Sequence, residues 1–431
     1  MACARIASNH MVERYKKLTL LSVLIFFMVF GWKITPKLDI SVLSTIPIYI
    51  YALTKPGNIK TILSNTAIYS CIFIISIAYF VSISFLNDPS TLQWALRTFR
   101  AAISFGAIHI LCYYNENNEE RKNKADILLA LSIAITIHAI IVIVTHFHAP
   151  LRSIIYQITQ AHLYVNEMTL MMDNRPLGLT YSLSITSFLY FVCSAILVNT
   201  PSRTIIGITL KIAGLIISTL ACLLTARTGV LFFPLLILFL PPKASKLGLK
   251  HVLWLVGGLA TVIAVHKSLT SNPELIETLN LHRLIDAATF LVAPMDSYFG
   301  QQYFPMWHLP DHIYQLLAGN SLTGREEGYY VDSDVGYVLA IYGTGLVGLL
   351  LMMLPIIAAL WTTVNLTGEK SGYTRLAFVA LTSYLILNAK ELALLTRTVW
   401  PVVCIFISIS LLRYINQRKQ LDEAKTAQQT S

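Results

Sequence analysis

The stretch ILSNTAIYSCIFIISIAYFVSISFL, Ile62–Leu86, decides the class of this fold. It contains no lysine, arginine, aspartate or glutamate. A helical membrane crossing takes about 20 mostly apolar residues, because the hydrocarbon core is about 30 Å thick and a helix rises about 1.5 Å per residue. The whole chain repeats the theme: its 431 residues are 55% hydrophobic and 13% charged, with mean hydropathy +0.63. A soluble chain has no means of hiding so much apolar surface, so the sequence reads as an all-α integral membrane protein. Further apolar runs lie near 18–33, 38–54, 91–114, 125–147, 178–199, 204–225, 229–242, 251–268, 335–364, 375–394 and 398–415. With Ile62–Leu86 they make about 12 transmembrane helices.

Charge sets the orientation. Arg5, Arg14, Lys16 and Lys17 precede Leu18–Trp32 with no small-residue cleavage site after it, so that run reads as a retained first span. Alternate connections then carry Lys55/Lys60, Arg121/Lys122/Lys124, Arg203, Lys243/Lys246/Lys250, Lys370/Arg375 and Arg418/Lys419. Positive residues collect on the cytoplasmic side, which makes both termini cytoplasmic. The organisation expected is an N-terminal bundle of about nine spans over 1–268, an external loop or cap over 269–334, a C-terminal bundle over 335–415, and a polar cytoplasmic tail over 416–431. The net charge of +10 is spread between spans rather than gathered on one face, which argues against nucleic acid. None of the six cysteines lies in an external loop, and the loop histidines His282, His308 and His312 lack metal-ligand spacing. Neither a disulfide nor a metal is expected.

The external loop differs from the rest. Two arginines, Arg283 and Arg325, face nine carboxylates there, a formal charge of −7, which leaves about +17 elsewhere. Leucine and isoleucine spacing predicts a helix over Pro273–Val292, and Asp311–Ala318 a second, with Asp311 near its cap. Tyr298, Tyr303, Trp307, Tyr314, Tyr329 and Tyr330 stud the remainder. Rings that stack on C–H groups and carboxylates that accept O–H bonds suit a sugar; a small packed cap with interfacial aromatics explains the same residues.

Four segments carry the chemistry: Asn174–Leu179 (NRPLGL), Leu223–Phe233 (LLTARTGVLFF), Gly319–Gly348 (GNSLTGREEGYYVDSDVGYVLAIYGTGLVG) and Asn388–Trp400 (NAKELALLTRTVW). Arg175, Arg227 and Arg397 stand at span ends assigned to the outer face, where cations run against the usual bias. Guanidinium forks bind phosphate bidentately, and a low dielectric strengthens the bond. Lys390, inside an apolar run beside Glu391, is an ionisable group of the kind that is paired or functional in a membrane. Competing readings are snorkelling for Arg397, a structural cation for Lys390, and headgroup anchoring for Arg97 and Arg100, which share a helix face. His138 and Lys211 read as a satisfied core group and a snorkelling cation. Gly343, Gly345 and Gly348 read as close helix packing.

Taken in order along Asn174–Trp400, these segments resemble the Wzy-type O-antigen and capsular polysaccharide polymerases of Gram-negative bacteria, within the polymerase/ligase superfamily. The resemblance implies a GT-C-like membrane fold with a periplasmic cap in the bacterial inner membrane. It implies a metal-independent glycosyltransferase that joins undecaprenyl-pyrophosphate-linked oligosaccharide repeats, without a cofactor. Carried onto this chain, Arg227 and Arg397 would stabilise the pyrophosphate leaving group, and Asp334 or Asp332 would act as base, with Glu391 third. Arg175, Lys390, Glu391, Arg325, Arg283, Arg97 and Arg100 would bind substrate. The family's arginine-plus-tryptophan element near the loop start has only Arg283 as counterpart here. Membrane lipids, a chain-length regulator and a flippase of the same pathway are the partners implied. An O-antigen ligase is the alternative, kept open by His308 and His312, although Asp332-Ser333-Asp334 stands where a ligase is expected to carry a histidine. A flippase or exporter of lipid-linked sugar is a second alternative, weakened by the lack of a repeat between the halves.

Overall fold

The computed structural model describes residues 2–35, 38–87, 92–116, 127–159, 178–180, 182–200, 204–225, 295, 298–322, 325–326, 329–366 and 372–430. Regular structure among them is helical, apart from two antiparallel ladders of short strands: β1 (Lys33–Thr35) with β2 (Leu38–Asp39), and β3 (Arg325–Glu326) with β4 (Tyr329–Tyr330). Six helices are long and apolar enough to cross a membrane: Pro56–Asn87, Gln93–Glu116, Ile127–Phe147, Ile205–Cys222, Gly336–Val364 and Trp400–Gln428. The protein is therefore a multi-pass helical membrane protein. The expected spans 229–242 and 251–268, and the expected loop helix at 273–292, lie outside the described residues.

In chain order the helices are α1 (Ala2–Phe30), α2 (Ile40–Leu43), α3 (Ile46–Leu53), α4 (Pro56–Asn87), α5 (Gln93–Glu116), α6 (Ile127–Phe147) and α7 (Ala149–Ile158). Then come α8 (Leu183–Asn199), α9 (Ile205–Thr225), α10 (Tyr298–Tyr303), α11 (Ile313–Ala318), α12 (Gly336–Val364), α13 (Gly372–Asn388) and α14 (Trp400–Thr430). α5 packs between α4 and α14, α12 touches α4, α13 and α14, and α8 joins α13 to α6 and α9. One buried core runs through all of them, with Trp94, Trp400, Tyr190, Tyr384, Phe80 and Phe188 among its largest side chains.

Several expected boundaries move, each for a local reason. The run 38–54 is not one span. Asp39 caps α2, and the hydroxyls of Ser44 and Thr45 donate to the carbonyls of Ser41 and Val42 at 2.8 and 2.7 Å. Those bonds, with Pro47 at the start of α3, break the run into helices of 4 and 8 residues. The helix that holds the expected first span ends at Phe30 rather than 33 and is not one of the six; the backbone of Ile40 and Ser41 crosses over Gly31, where a Cβ would meet Ser41 N at 2.4 Å. The run 375–394 stops being helical at Asn388, so Lys390 does not sit within a span helix. Asn388 turns back on the chain: its Nδ2 donates to Tyr384 O at 2.8 Å and its Oδ1 accepts from Ala393 N at 3.0 Å. The last helix continues past 415 through the polar tail to Thr430. The cap of α11 is His312, not Asp311, and it makes no side-chain cap bond.

Candidate functional site

Charged side chains gather where α5, α8, α12 and α14 begin and α13 ends. Arg97 and Arg100 lie one turn apart on α5, on the face that also buries Trp94, Thr98 and Ala101. Arg100 Nη1 stands 3.6 Å from Asp39 Oδ2, with side chains 27% and 8% exposed. The other carboxylate oxygen, Oδ1, accepts from Val42 N at 2.9 Å and from the Ser41 hydroxyl. Arg397 comes within electrostatic reach of Arg100, and its Nη1 and Nη2 are shielded from solvent, as is Arg97 Nη1. The Arg97 guanidinium lies over the Trp94 ring, 4.8 Å from its centroid. Trp400 anchors the adjoining helix by donating Nε1–H to Ala101 O at 2.9 Å.

The stretch that presents Arg397 is organised by one phenol. Tyr384 donates to Ala393 O at 2.9 Å and accepts from Leu395 N at 3.2 Å. Leu395 adopts a left-handed φ of 56°, so the chain turns there before re-entering helix at Trp400. Tyr384 also lies within electrostatic reach of Arg97 and Tyr337, which ties the cationic cluster to the α12 side.

A second cluster lies where α12 begins and α13 ends. Lys390 Nζ is 3.9 Å from Asp334 Oδ2, with side chains 25% and 47% exposed. Such exposure limits that pair to about 0–1 kcal/mol, so it bears on placement more than on stability. Glu391 is hydrogen-bonded by the hydroxyls of Ser182 and Ser184 at the start of α8, where the helix dipole favours a carboxylate. Gly336 lets these pieces meet: a Cβ there would lie 2.4 Å from Glu391 O and 2.7 Å from Asn388 O. Tyr303 Oη donates to Ala389 O at 2.6 Å, and Tyr337 Oη to Leu385 O at 2.6 Å. Burial raises the Tyr303 phenol above its ordinary range, which keeps it a proton donor to that carbonyl.

Around Asp332 the backbone is clamped. His308 Nε2 lies 3.2 Å from Asp332 O and His308 Nδ1 3.0 Å from Tyr342 Oη. A carbonyl only accepts, so Nε2 carries the proton and Nδ1 accepts from the tyrosine. The Ser333 hydroxyl donates to Met306 O at 2.9 Å and accepts from Val335 N at 3.0 Å. Asp332 itself is exposed to solvent.

The structure thus joins Arg97, Arg100 and Arg397, and separately Asp334, Lys390 and Glu391. Arg175, Arg227 and Arg283 lie outside the described residues, and of Arg325 only its strand is described. The end of the Arg175 segment is described: Gly178, at φ 58°, packs on Val142 and His138, and Leu179 N donates to His138 Nε2 at 3.0 Å. His138 is satisfied in the core, as its other nitrogen meets Tyr190 Oη at 3.0 Å. Lys211 Nζ donates to Thr200 O. Sequence reasoning missed Asp39, Ser182 and Ser184. Asp39 had a usable signal, since a carboxylate within an apolar run calls for a partner; the two serines had none. Among the described residues no group of three His, Cys, Asp or Glu is placed to hold a metal ion. A scan against models of protein families finds no match, and a search of curated proteins finds no significant similarity.

Proposed function

We propose that the protein is a polysaccharide polymerase, transferring glycan between polyprenyl-pyrophosphate carriers at the membrane face that holds Arg397 and Asp334. The observation that carries this reading is the gathering of Arg397 with Arg100, itself paired to Asp39 and one helical turn from Arg97, together with a second cluster in which Lys390 meets the carboxylate of Asp334. Three guanidiniums gathered in a low dielectric suit the two phosphates of a pyrophosphate. In the proposed step an acceptor hydroxyl oxygen bonds to the anomeric carbon as the bond from that carbon to the pyrophosphate oxygen breaks. The electron pair leaves with the pyrophosphate, where the arginines stabilise it. The hydroxyl proton passes to Asp334, which Lys390 holds in place. Asp334 is preferred over Asp332, whose backbone is clamped and whose side chain is given over to solvent. Glu391, held by two serine hydroxyls and inside the packed segment, acts as the bolt between α8 and the 389–399 stretch.

The ligase alternative rested on His308 and His312: both ring nitrogens of His308 lie within hydrogen-bond distance of Asp332 O and Tyr342 Oη, which favours a bracing role for it, while His312 stands exposed ahead of α11.

Reconstituted protein supplied with a defined polyprenyl-pyrophosphate oligosaccharide is expected to make longer lipid-linked glycans. Arg100→Ala or Arg397→Ala is expected to cut the rate about 10²–10³-fold, or 2.7–4 kcal/mol of transition-state stabilisation. Undiminished elongation by the Arg100→Ala/Arg397→Ala double variant at normal protein level would falsify the proposal.

A further inference from the structure

α11 presents an apolar face that no described residue covers. Ile313, Tyr314 and Leu317 are 69%, 55% and 47% exposed. On a cap standing in water this face would be costly. Its hydrogen bonds place it lower. Asn320 N donates to Tyr342 O at 3.0 Å and Ser321 N to Gly343 O at 2.8 Å. Gly343 lies seven residues into α12, about 10 Å along the axis from its first residue. Tyr79 Oη, on the long apolar helix α4, donates to Thr344 O at 2.9 Å and reaches Ala318 O at 3.3 Å. Tyr79 stands seven residues before Leu86, which is itself exposed at the end of that apolar run, so Ala318 lies about 10 Å below the level of Leu86.

The backbone is built for this descent. Polar, exposed Asp311 and His312 precede α11. Gly319 and Ser321, with φ of 73° and 65°, reverse the chain below it. The return leg passes Leu322, whose carbonyl accepts from Trp94 Nε1 at 3.1 Å. α12 opens to receive the turn: Gly345 is non-helical, at φ 68° and ψ 179°, and a Cβ on it would stand 2.1 Å from Leu317 O. Irregular backbone survives at membrane depth where the surrounding protein satisfies its polar groups, and here Tyr79, Trp94 and the α12 backbone do so. Beyond Gly345 the exposed residues Leu346, Val347 and Leu350 on α12 extend the apolar face of α11 along a helix long enough to cross the membrane.

We propose that residues 313–322 form a re-entrant wedge sunk into the bilayer, with Ile313, Tyr314 and Leu317 packed against lipid hydrocarbon. Its inner edge, Leu322, rests on Trp94 and so borders the Arg97 guanidinium. The wedge is independent of the proposed reaction.

The test is collisional accessibility of a nitroxide on Ile313→Cys and on Leu317→Cys. The carrier is the full-length chain with Cys3→Ser and Cys71→Ser, in phosphatidylethanolamine/phosphatidylglycerol nanodiscs. Cys112, Cys193, Cys222 and Cys404 are buried and stay in place. Both labels are expected to meet oxygen freely and a nickel chelate poorly, like a label on Ile75→Cys, which is exposed midway along α4. Access to the chelate like that of a label on Glu423→Cys would overturn the wedge, as would exclusion of both reagents, the sign of a protein cover. Should labelled variants misfold, hydroxyl-radical footprinting of the unmodified chain in the same nanodiscs decides. Tyr314 is expected to stay unmodified while exposed Tyr15 oxidises, and equal oxidation of the two overturns the proposal.

Discussion

Asp39 divides its carboxylate between two tasks: one oxygen caps α2 through Val42 N, and the other faces Arg100. Substitution separates them. Asp39→Asn keeps a cap acceptor and loses the charge, whereas Asp39→Ala loses both; N-cap loss costs about 1 kcal/mol. Asp39→Ala is therefore expected to melt below Asp39→Asn by scanning fluorimetry in detergent, and coincident melting would remove the capping role. The arginines show how far single residues were legible. Arg397 stands out in the sequence as a cation at a span end. Arg97 and Arg100 read equally well as headgroup anchors, because helix spacing says that they share a face and not which way the face points. Only the packing of Trp94, Thr98 and Ala101 against the core turns that face inward.

At the scale of elements, α12 is where the sequence pattern and the fold part company. Its apolar run predicts one uninterrupted span, and the helix does cover Gly336–Val364, but it breaks at Gly345 to admit the carbonyl of Leu317. An alanine at 345 would be forced into a backbone region open essentially to glycine alone, a cost of about 1–3 kcal/mol, and would also collide with that carbonyl. Gly345→Ala is expected to lower the melting temperature and to open the 313–322 segment to protease, while Gly57→Ala, with open space around it, should leave both unchanged. A Gly345→Ala protein with native melting and protease resistance would show that the break is dispensable. The splitting of 38–54 obeys the same logic in reverse. Hydropathy sums over the run and is blind to Ser44, Thr45 and Pro47, whose local bonding ends one helix and starts another. In the same way Asn388 and Tyr384 end α13 early and lift Lys390 and Glu391 out of helix.

The molecule as a whole is a bundle in which α5, α12, α13 and α14 share a core. We propose, from the charge pattern of the connections, that both termini lie on the cytoplasmic face. A fluorescent-protein fusion at either end is expected to fluoresce in cells, and an alkaline phosphatase fusion at either end to be inactive; an active phosphatase at one end only would break the proposed topology. By itself the sequence determined that the chain lives in a membrane, because 25-residue uncharged runs such as Ile62–Leu86 have no other stable environment. It also marked the segments that hold Asp334 and Arg397, Gly319–Gly348 and Asn388–Trp400, as unusual, because ionisable groups next to apolar runs are costly without a purpose. What only the tertiary structure decided is which charges meet. Asp39 finds Arg100, Ser182 and Ser184 find Glu391, and Asp334 finds Lys390 across gaps of tens to hundreds of residues. Hydropathy and helical period act within one segment, whereas these pairs depend on how separate helices pack. That packing is set by side-chain shape and by glycines such as Gly336 and Gly345, which let backbones touch.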